Sequence, residues 1–243
     1  MSPVTSHLVA KLKLFGPLSE GEVACLTELQ SVTIHVARGR ELLSQGEKGH
    51  VAYILQAGWG CSFKLLEDGG RQIITFPIPG DCVGLRSVLL RTSDHSFTAL
   101  TDMVVSPVGS SRMLQVFNEF PHLGASILWA TSRDEAITVE HLASIGRRTA
   151  TERTAHFFLE LSERLRLVGL ANTTEFACPL SQNELADALG LSAIHVNRVL
   201  RGLRELQLLT FHEHIVTIHD RAALKALAGY EDIEGGPVLM SNT

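Results

Sequence analysis

Ala193, Ile194, Asn197, Arg198 and Arg201 recur three and four positions apart, the spacing that lines up side chains on one helix face. Their types suit the edges of base pairs. The forked guanidinium of Arg198 matches guanine O6 and N7, the amide of Asn197 an adenine or a phosphate, and the apolar Ile194 or Ala193 a thymine methyl. Ser181, Asn183 and Ser192 stand where two helices would begin, and helix N-termini offer hydroxyls and amides to phosphate oxygens. An ordinary helical hairpin with a solvated arginine face would share this spacing, so the surrounding elements must separate the two readings.

Those elements favour the DNA reading. Ser181 followed by Glu184 makes a capping box, and Leu185, Ala188 and Leu189 give the first helix a core face. Gly190 suits a left-handed helix end with Leu191 packing behind it. Ser192 then caps a second helix to about Leu206, with Val196, Val199, Leu200 and Leu203 inward. Caps, glycine and core spacing agree on a helix-turn-helix, whose second helix enters the major groove. Residues 208–211 and 215–218 read as two strands around His212, Glu213 and His214, the wing of a winged helix-turn-helix.

Upstream, Gly46, Gly58, Gly69, Gly70, Gly80 and Gly84 punctuate short apolar runs at 51–55, 63–66 and 73–76. This pattern predicts an antiparallel barrel or sandwich, with Asp68, Gly69 and Gly70 as a hairpin turn. After Pro107 the pattern turns helical: a short segment at 113–120, then a long one at 121–145 that is apolar on two faces. One face carries Leu128, Leu142 and Ile145, the other Ile127, Ala130 and Ile137. A helix apolar on two sides needs two partners. The β domain supplies one, and the same helix of a second subunit, or alternatively another part of the same chain, supplies the other. Gly146, Arg147 and Arg148 read as a break and hinge. An amphipathic helix follows over 149–168, carrying Phe157, Phe158, Leu161, Leu165 and Val168, and Gly169 ends it.

At 243 residues, 45% hydrophobic and 19% charged, the chain has the composition of a folded two-domain protein. Its net charge of −5 makes any contact with nucleic acid local. No signal peptide and no apolar run of about 18 residues is seen, so cytoplasmic location without membrane contact is expected. Cys25, Cys61, Cys82 and Cys178 lie far apart and read as free thiols. Only Cys25 precedes residue 60, which sets aside an N-terminal iron-sulfur cluster. His212, His214 and His219 form the one histidine cluster in which zinc is conceivable, with the first two placed on one strand face. A wing explains them more simply, and neither a catalytic constellation nor a metal site is expected. His95 as a haem or anion ligand and Cys178 as a redox switch are weighed against a solvated histidine and an inert thiol, and the latter readings are preferred.

The order of parts resembles the Crp/Fnr family of regulators. Its carriers are Gly80-Asp81-Cys82-Val83-Gly84, the stretch Leu185 to Leu203 with its Val196-Asn197-Arg198 run, and Gly146-Arg147-Arg148 followed by Glu152-Arg153. The run is similar to an alphaproteobacterial subgroup. The resemblance implies an α+β fold: an N-terminal antiparallel β jelly roll of the cyclic-nucleotide-binding type at 1–120, a dimerisation helix at 121–146, a winged helix-turn-helix at 147–230 and a tail at 231–243. It also implies that Arg198 contacts bases. Where many members carry a base-reading glutamate this chain has Ile194, which cannot accept from cytosine N4. The effector pocket falls on Gly84, Leu85, His95, Ser96 and, on the long helix, Thr138. Members that bind cyclic AMP carry a glutamate at the place of Leu85 and an arginine at that of His95. A leucine accepts no hydroxyl bond and a neutral histidine does not replace a fixed bidentate cation, so cyclic AMP is not the expected effector and no cofactor is assigned.

The expected protein is thus a homodimeric, sequence-specific DNA-binding transcriptional regulator on a palindromic operator of double-stranded DNA, with RNA polymerase a candidate further partner. A signal in the β domain would shift the dimer helices and re-aim the recognition helices to about 34 Å, one turn of DNA. The alternative is a ligand- or metal-binding module that acts through a protein partner.

Overall fold

The computed structural model describes residues 6–48, 51–85, 88, 90 and 92–231. Two compact units divide them. One takes the chain up to Gly70 together with Thr75–Glu135, the other Arg71–Ile74 and the chain from Ala136 onward. The expected tail at 231–243 lies outside the described residues apart from Glu231.

Two helices that the glycine and apolar pattern does not announce open the first unit. Ser6 caps α1 (His7–Leu12), and a Ser19/Glu22 capping box starts α2 (Glu20–Leu29). Strands β1 (Ile34–Val36), β2 (Glu41–Leu43), β3 (Val51–Ala57), β4 (Gly60–Leu65), β5 (Arg71–Thr75), β6 (Cys82–Val83), β7 (Ser96–Ala99) and β8 (Met103–Gly109) follow. Of these, Arg71–Ile74 of β5 groups with the second unit. One antiparallel sheet has the order β1-β8-β3-β6, and β2, β7 and β4 lie side by side in another. The expected turn forms: Gly69 takes φ +82°, and Asp68 Oδ1 accepts the Gly70 N–H at 2.8 Å.

Neighbouring residues of a strand face opposite ways, and β3 uses both faces. Ile54 joins Leu8, Leu12, Leu26, Val108, Val116 and Leu123 beneath the helices, while Leu55 joins Leu43, Val83, Phe97, Met103 and Val105 between the two sheets. Burial on both sides is why 51–55 reads as a continuous apolar run rather than an alternation. Helix α3 (Ser110–Glu119) leads into α4 (Pro121–Arg147), whose 27 residues span about 40 Å.

Helix α4 does not break at Gly146. It continues to Arg147, and Arg148 still donates its N–H to Ser144 O at 3.1 Å while its guanidinium reaches Ser144 Oγ and Glu140. A single glycine costs a helix only about 1 kcal/mol. What stops this one is the competing start of α5 (Ala150–Leu167), where Thr149 and Glu152 form a capping box. Phe157, Phe158, Leu161 and Leu165 of α5 are buried. Beyond it come β9 (Glu175–Ala177), α6 (Gln182–Leu189), α7 (Ala193–Glu205), β10 (Leu209–His212), β11 (Ile215–Ile218) and α8 (Arg221–Ala228). The strands form an antiparallel sheet in the order β10-β11-β9. The first unit is thus an antiparallel β domain and the second a winged helix-turn-helix, with β9 and α8 as additions to the pattern read from sequence. Among the described residues no helix is long and apolar enough to cross a membrane.

Candidate nucleic-acid interface

Local chemistry fixes the two helices that carry the interface. Ser181 Oγ accepts the Glu184 N–H at 3.2 Å while the Glu184 carboxylate returns a bond to the Ser181 N–H. Gly190 ends α6 at φ +60° and ψ +43°, and Leu191 N–H bonds Ala186 O at 3.0 Å. Ser192 Oγ accepts the His195 N–H at 3.3 Å to open α7. Leu185 and Leu189 of α6 and Val196, Val199 and Leu203 of α7 are buried; Ala188 and Leu200 are half-buried.

The opposite face of α7 points outward. Ile194 is 75% exposed, an unusual place for an isoleucine. Arg198 is exposed and no hydrogen bond or ion pair engages it among the described residues, while Arg201 meets Glu205 at 2.8 Å on the same surface. Asn197 is exposed and donates from Nδ2 to Oε1 of Gln182, the first residue of α6. Ala193 is only half-buried at the helix start. Ser181, Asn183 and Ser192 are exposed. The two serine oxygens serve as caps, and a hydroxyl that accepts a cap bond can still donate its own proton. Arg204 adds a further exposed cation that the spacing argument did not select. Asp187 of α6 is paired with Arg71, whose Nε and Nη2 reach it at 2.9 and 2.7 Å.

The wing differs from expectation in its turn. His212 pairs with Ile215 inside the sheet, and Glu213 and His214 make the two-residue connection, both at positive φ. That is the backbone of a type I′ hairpin. His214 therefore sits in the turn rather than on a strand face with His212, and His219 Nε2 pairs with Thr210 Oγ1 at 2.8 Å. Among the described residues no group of three histidines, cysteines or carboxylates is arranged to hold a metal ion.

Packing and hydrogen bonds within the β domain engage four of the residues singled out for an effector. A side chain on Gly84 would press on Leu43 Cδ1 at 2.9 Å. Ser96 is buried; its hydroxyl donates to Glu41 Oε1 at 3.0 Å and accepts the Gln45 N–H at 3.0 Å. His95 Nδ1 lies 2.7 Å from Asp94 Oδ1. Leu85 instead lines a small recess with Leu8, Leu12, Cys82 and Ile127, at whose polar edge Lys11 bridges Asp81 at 2.8 Å and Asp134 at 3.1 Å. Thr138 is exposed on α4, in the second unit. Cys178 is buried just before the Ser181 cap, and burial pushes its thiol up to about 12.

Comparison with known proteins agrees with this architecture. Residues 33–120 match the cyclic nucleotide-binding domain and residues 152–227 the Crp-like helix-turn-helix domain. The nitrogen fixation regulation protein FixK of Rhizobium meliloti is 31% identical over 192 residues, covering 78% of this chain and 83% of that protein. The chain belongs to the Crp/Fnr family. This Crp/Fnr chain is also 32% identical to FixK of Azorhizobium caulinodans, over 79% of its own length and 77% of the relative's. The solved structure of FixK2 from Bradyrhizobium japonicum superposes with a TM-score of 0.74 at 28% identity, covering 82% of this chain and 98% of the other. As a Crp/Fnr protein with a helix-turn-helix domain, the chain is a DNA-binding transcriptional regulator.

Proposed function

We propose that this regulator works as a homodimer on an operator with two-fold symmetry, reading each half-site through α7. Arg198 reads guanine, Asn197 reads adenine and Ile194 packs on a thymine methyl, while Ser181, Asn183 and Ser192 hold phosphates. The observation that carries this reading is the exposed outward face of α7. Arg198 and a 75% exposed Ile194 stand opposite the buried Val196, Val199 and Leu203, so the helix packs on one face and presents Arg198 and Ile194 to solvent on the other. The signal is a molecule other than cyclic AMP. In support, Leu85 lacks an acceptor for a ribose hydroxyl, and the Glu41 carboxylate already holds Ser96, where a cyclic phosphate would meet like charge. No catalytic group is assigned.

The experiment is selection of bound fragments from random double-stranded DNA with the purified protein, followed by affinity measurements for Arg198→Ala. The loss of one bidentate base contact predicts about 1 to 3 kcal/mol weaker binding and relaxed preference at one position per half-site. Unchanged affinity and salt dependence in that variant would sink the assignment. Titration with cyclic AMP is expected to leave operator affinity unchanged.

A further inference from the structure

We propose that Gln182 sets the base preference of this regulator by orienting Asn197. The proposal rests on the reading that α7 docks in the major groove, and it adds a residue outside α7 to the specificity apparatus. Gln182 opens α6 directly after the Ser181 cap, and Asn197 lies in the second turn of α7, 15 positions later in the chain. The turn at Gly190 brings them together, so that Asn197 Nδ2 donates to Gln182 Oε1. Both side chains are exposed, and Asn197 sits between Ile194 and Arg201 on the outward face.

The chemistry of an asparagine amide makes that bond consequential. The terminal torsion of asparagine is broad and roughly two-fold, so a free Asn197 would present its donor and acceptor ends to a base almost interchangeably. Adenine accepts only one arrangement, with Nδ2–H on N7 and Oδ1 receiving N6–H. One Nδ2 hydrogen held by Gln182 fixes which end of the amide faces α6. The second Nδ2 hydrogen and the Oδ1 lone pairs stay available, a donor and an acceptor side by side. The reversed Asn197 amide would set Oδ1 against Gln182 Oε1, two acceptors in contact, so reversal requires both amides to turn together. Gln182 is thus a positioning residue that acts through Asn197, and the ligand it selects is an A·T pair at one position of each half-site.

The test uses the full-length protein and the operator selected above, with every base substituted in turn at each half-site position. Asn197→Ala identifies the position that Asn197 reads, as the one where preference disappears. Gln182→Ala is expected to lower adenine discrimination at that position from about tenfold to about threefold or less, while preference at the Arg198 position stays as in the wild type. Gln182→Glu keeps the acceptor and adds a charge beside the phosphates. It is expected to retain adenine discrimination while binding every sequence more weakly. The proposal is overturned if Gln182→Ala weakens all sequences equally with the preference intact, or if Gln182→Glu erases the preference. If Arg198→Ala and Asn197→Ala both leave sequence preference untouched, the groove-docking reading itself fails, a result distinct from failure of Gln182 alone.

Discussion

His141 of α4 and Glu160 of α5 meet through His141 Nε2 and a carboxylate oxygen, while His141 Nδ1 lies 3.2 Å from the carbonyl oxygen of Ile74. Both partners are acceptors, so the ring satisfies both only when it carries two protons. Burial alone would lower the His141 pKa, but the Glu160 carboxylate and the two hydrogen bonds hold it above the usual 6.5. Glu160 is deeply buried, which would raise its pKa; the charges of His141 and then Arg164 hold it below the usual 4.5. A raised histidine contributes stability that is complete below its unfolded pKa and is lost as pH rises through its folded value. His156 works in the opposite sense, since burial and then Arg148 lower its pKa. The difference in melting temperature between wild type and His141→Gln is therefore expected to be largest near pH 6 and to shrink as pH rises above about 6.5. A difference independent of pH would contradict a charged His141.

The thiols give a second prediction. Burial raises Cys25 above its usual value and pushes Cys82 and Cys178 up to about 12. The thiolate is the reactive form, so these three cysteines are expected to resist iodoacetamide in the native protein and to react on unfolding. Rapid native labelling of Cys178, read by mass spectrometry, would restore the redox-switch reading.

Two glycines separate conformational from steric cost. At Gly190 an added Cβ would meet Ile145 and Arg153 only at 3.8 and 3.9 Å, so the penalty of alanine is the left-handed backbone alone, about 1 to 2 kcal/mol. At Gly60 the Cβ would fall 2.3 Å from the buried Phe97 ring. Gly60→Ala must displace that ring, costing about 1 to 3 kcal/mol or more. Chemical denaturation should show Gly190→Asn milder than Gly190→Ala, because asparagine tolerates the left-handed region. Gly60→Asn should show no such relief.

The contrast between Gly190 and Gly146 explains what was legible in the sequence. The Ser181, Gly190 and Ser192 signals are local: each stabilises a helix end through residues within a few positions, so pattern and structure agree. Gly146 resembled a break because a glycine near two arginines has no local reason to continue a helix. The extent of α4 was instead decided by Arg148 reaching back to Glu140 and by the Thr149 cap beyond it. Strand β9 was not legible, since three residues gain their strand identity only by pairing with β11. Gln182 was missed for the same reason, its partner being 15 residues away across a turn. The packing around the effector residues, Leu43 beside Gly84 and Glu41 on Ser96, comes from elsewhere in the chain and is not written in their own spacing.

The long helix offers the prediction on which the symmetric assembly depends. Leu128, Val139 and Leu142 are 68%, 58% and 73% exposed, whereas Ile137 on another face is 5% exposed. Offsets of 11 and 14 residues are close to three and four helical turns, so the three exposed side chains form one stripe. Such a stripe is expensive in water and suits a second copy of itself, because two-fold symmetry buries each position twice. Each leucine sealed is worth about 1.5 to 3 kcal/mol. Leu142→Glu, which removes two of them per dimer and adds facing charges, should weaken association at least about a hundredfold. Because the site is exposed in the single chain, the substitution should leave the folded monomer intact, with unchanged far-UV circular dichroism. Sedimentation equilibrium is expected to show a dimer for the wild type and a monomer for Leu142→Glu, with operator binding lost in parallel because a single recognition helix forfeits the second half-site. A wild type that sediments as a monomer at every concentration, yet binds the full operator, would show that the stripe serves something other than self-association.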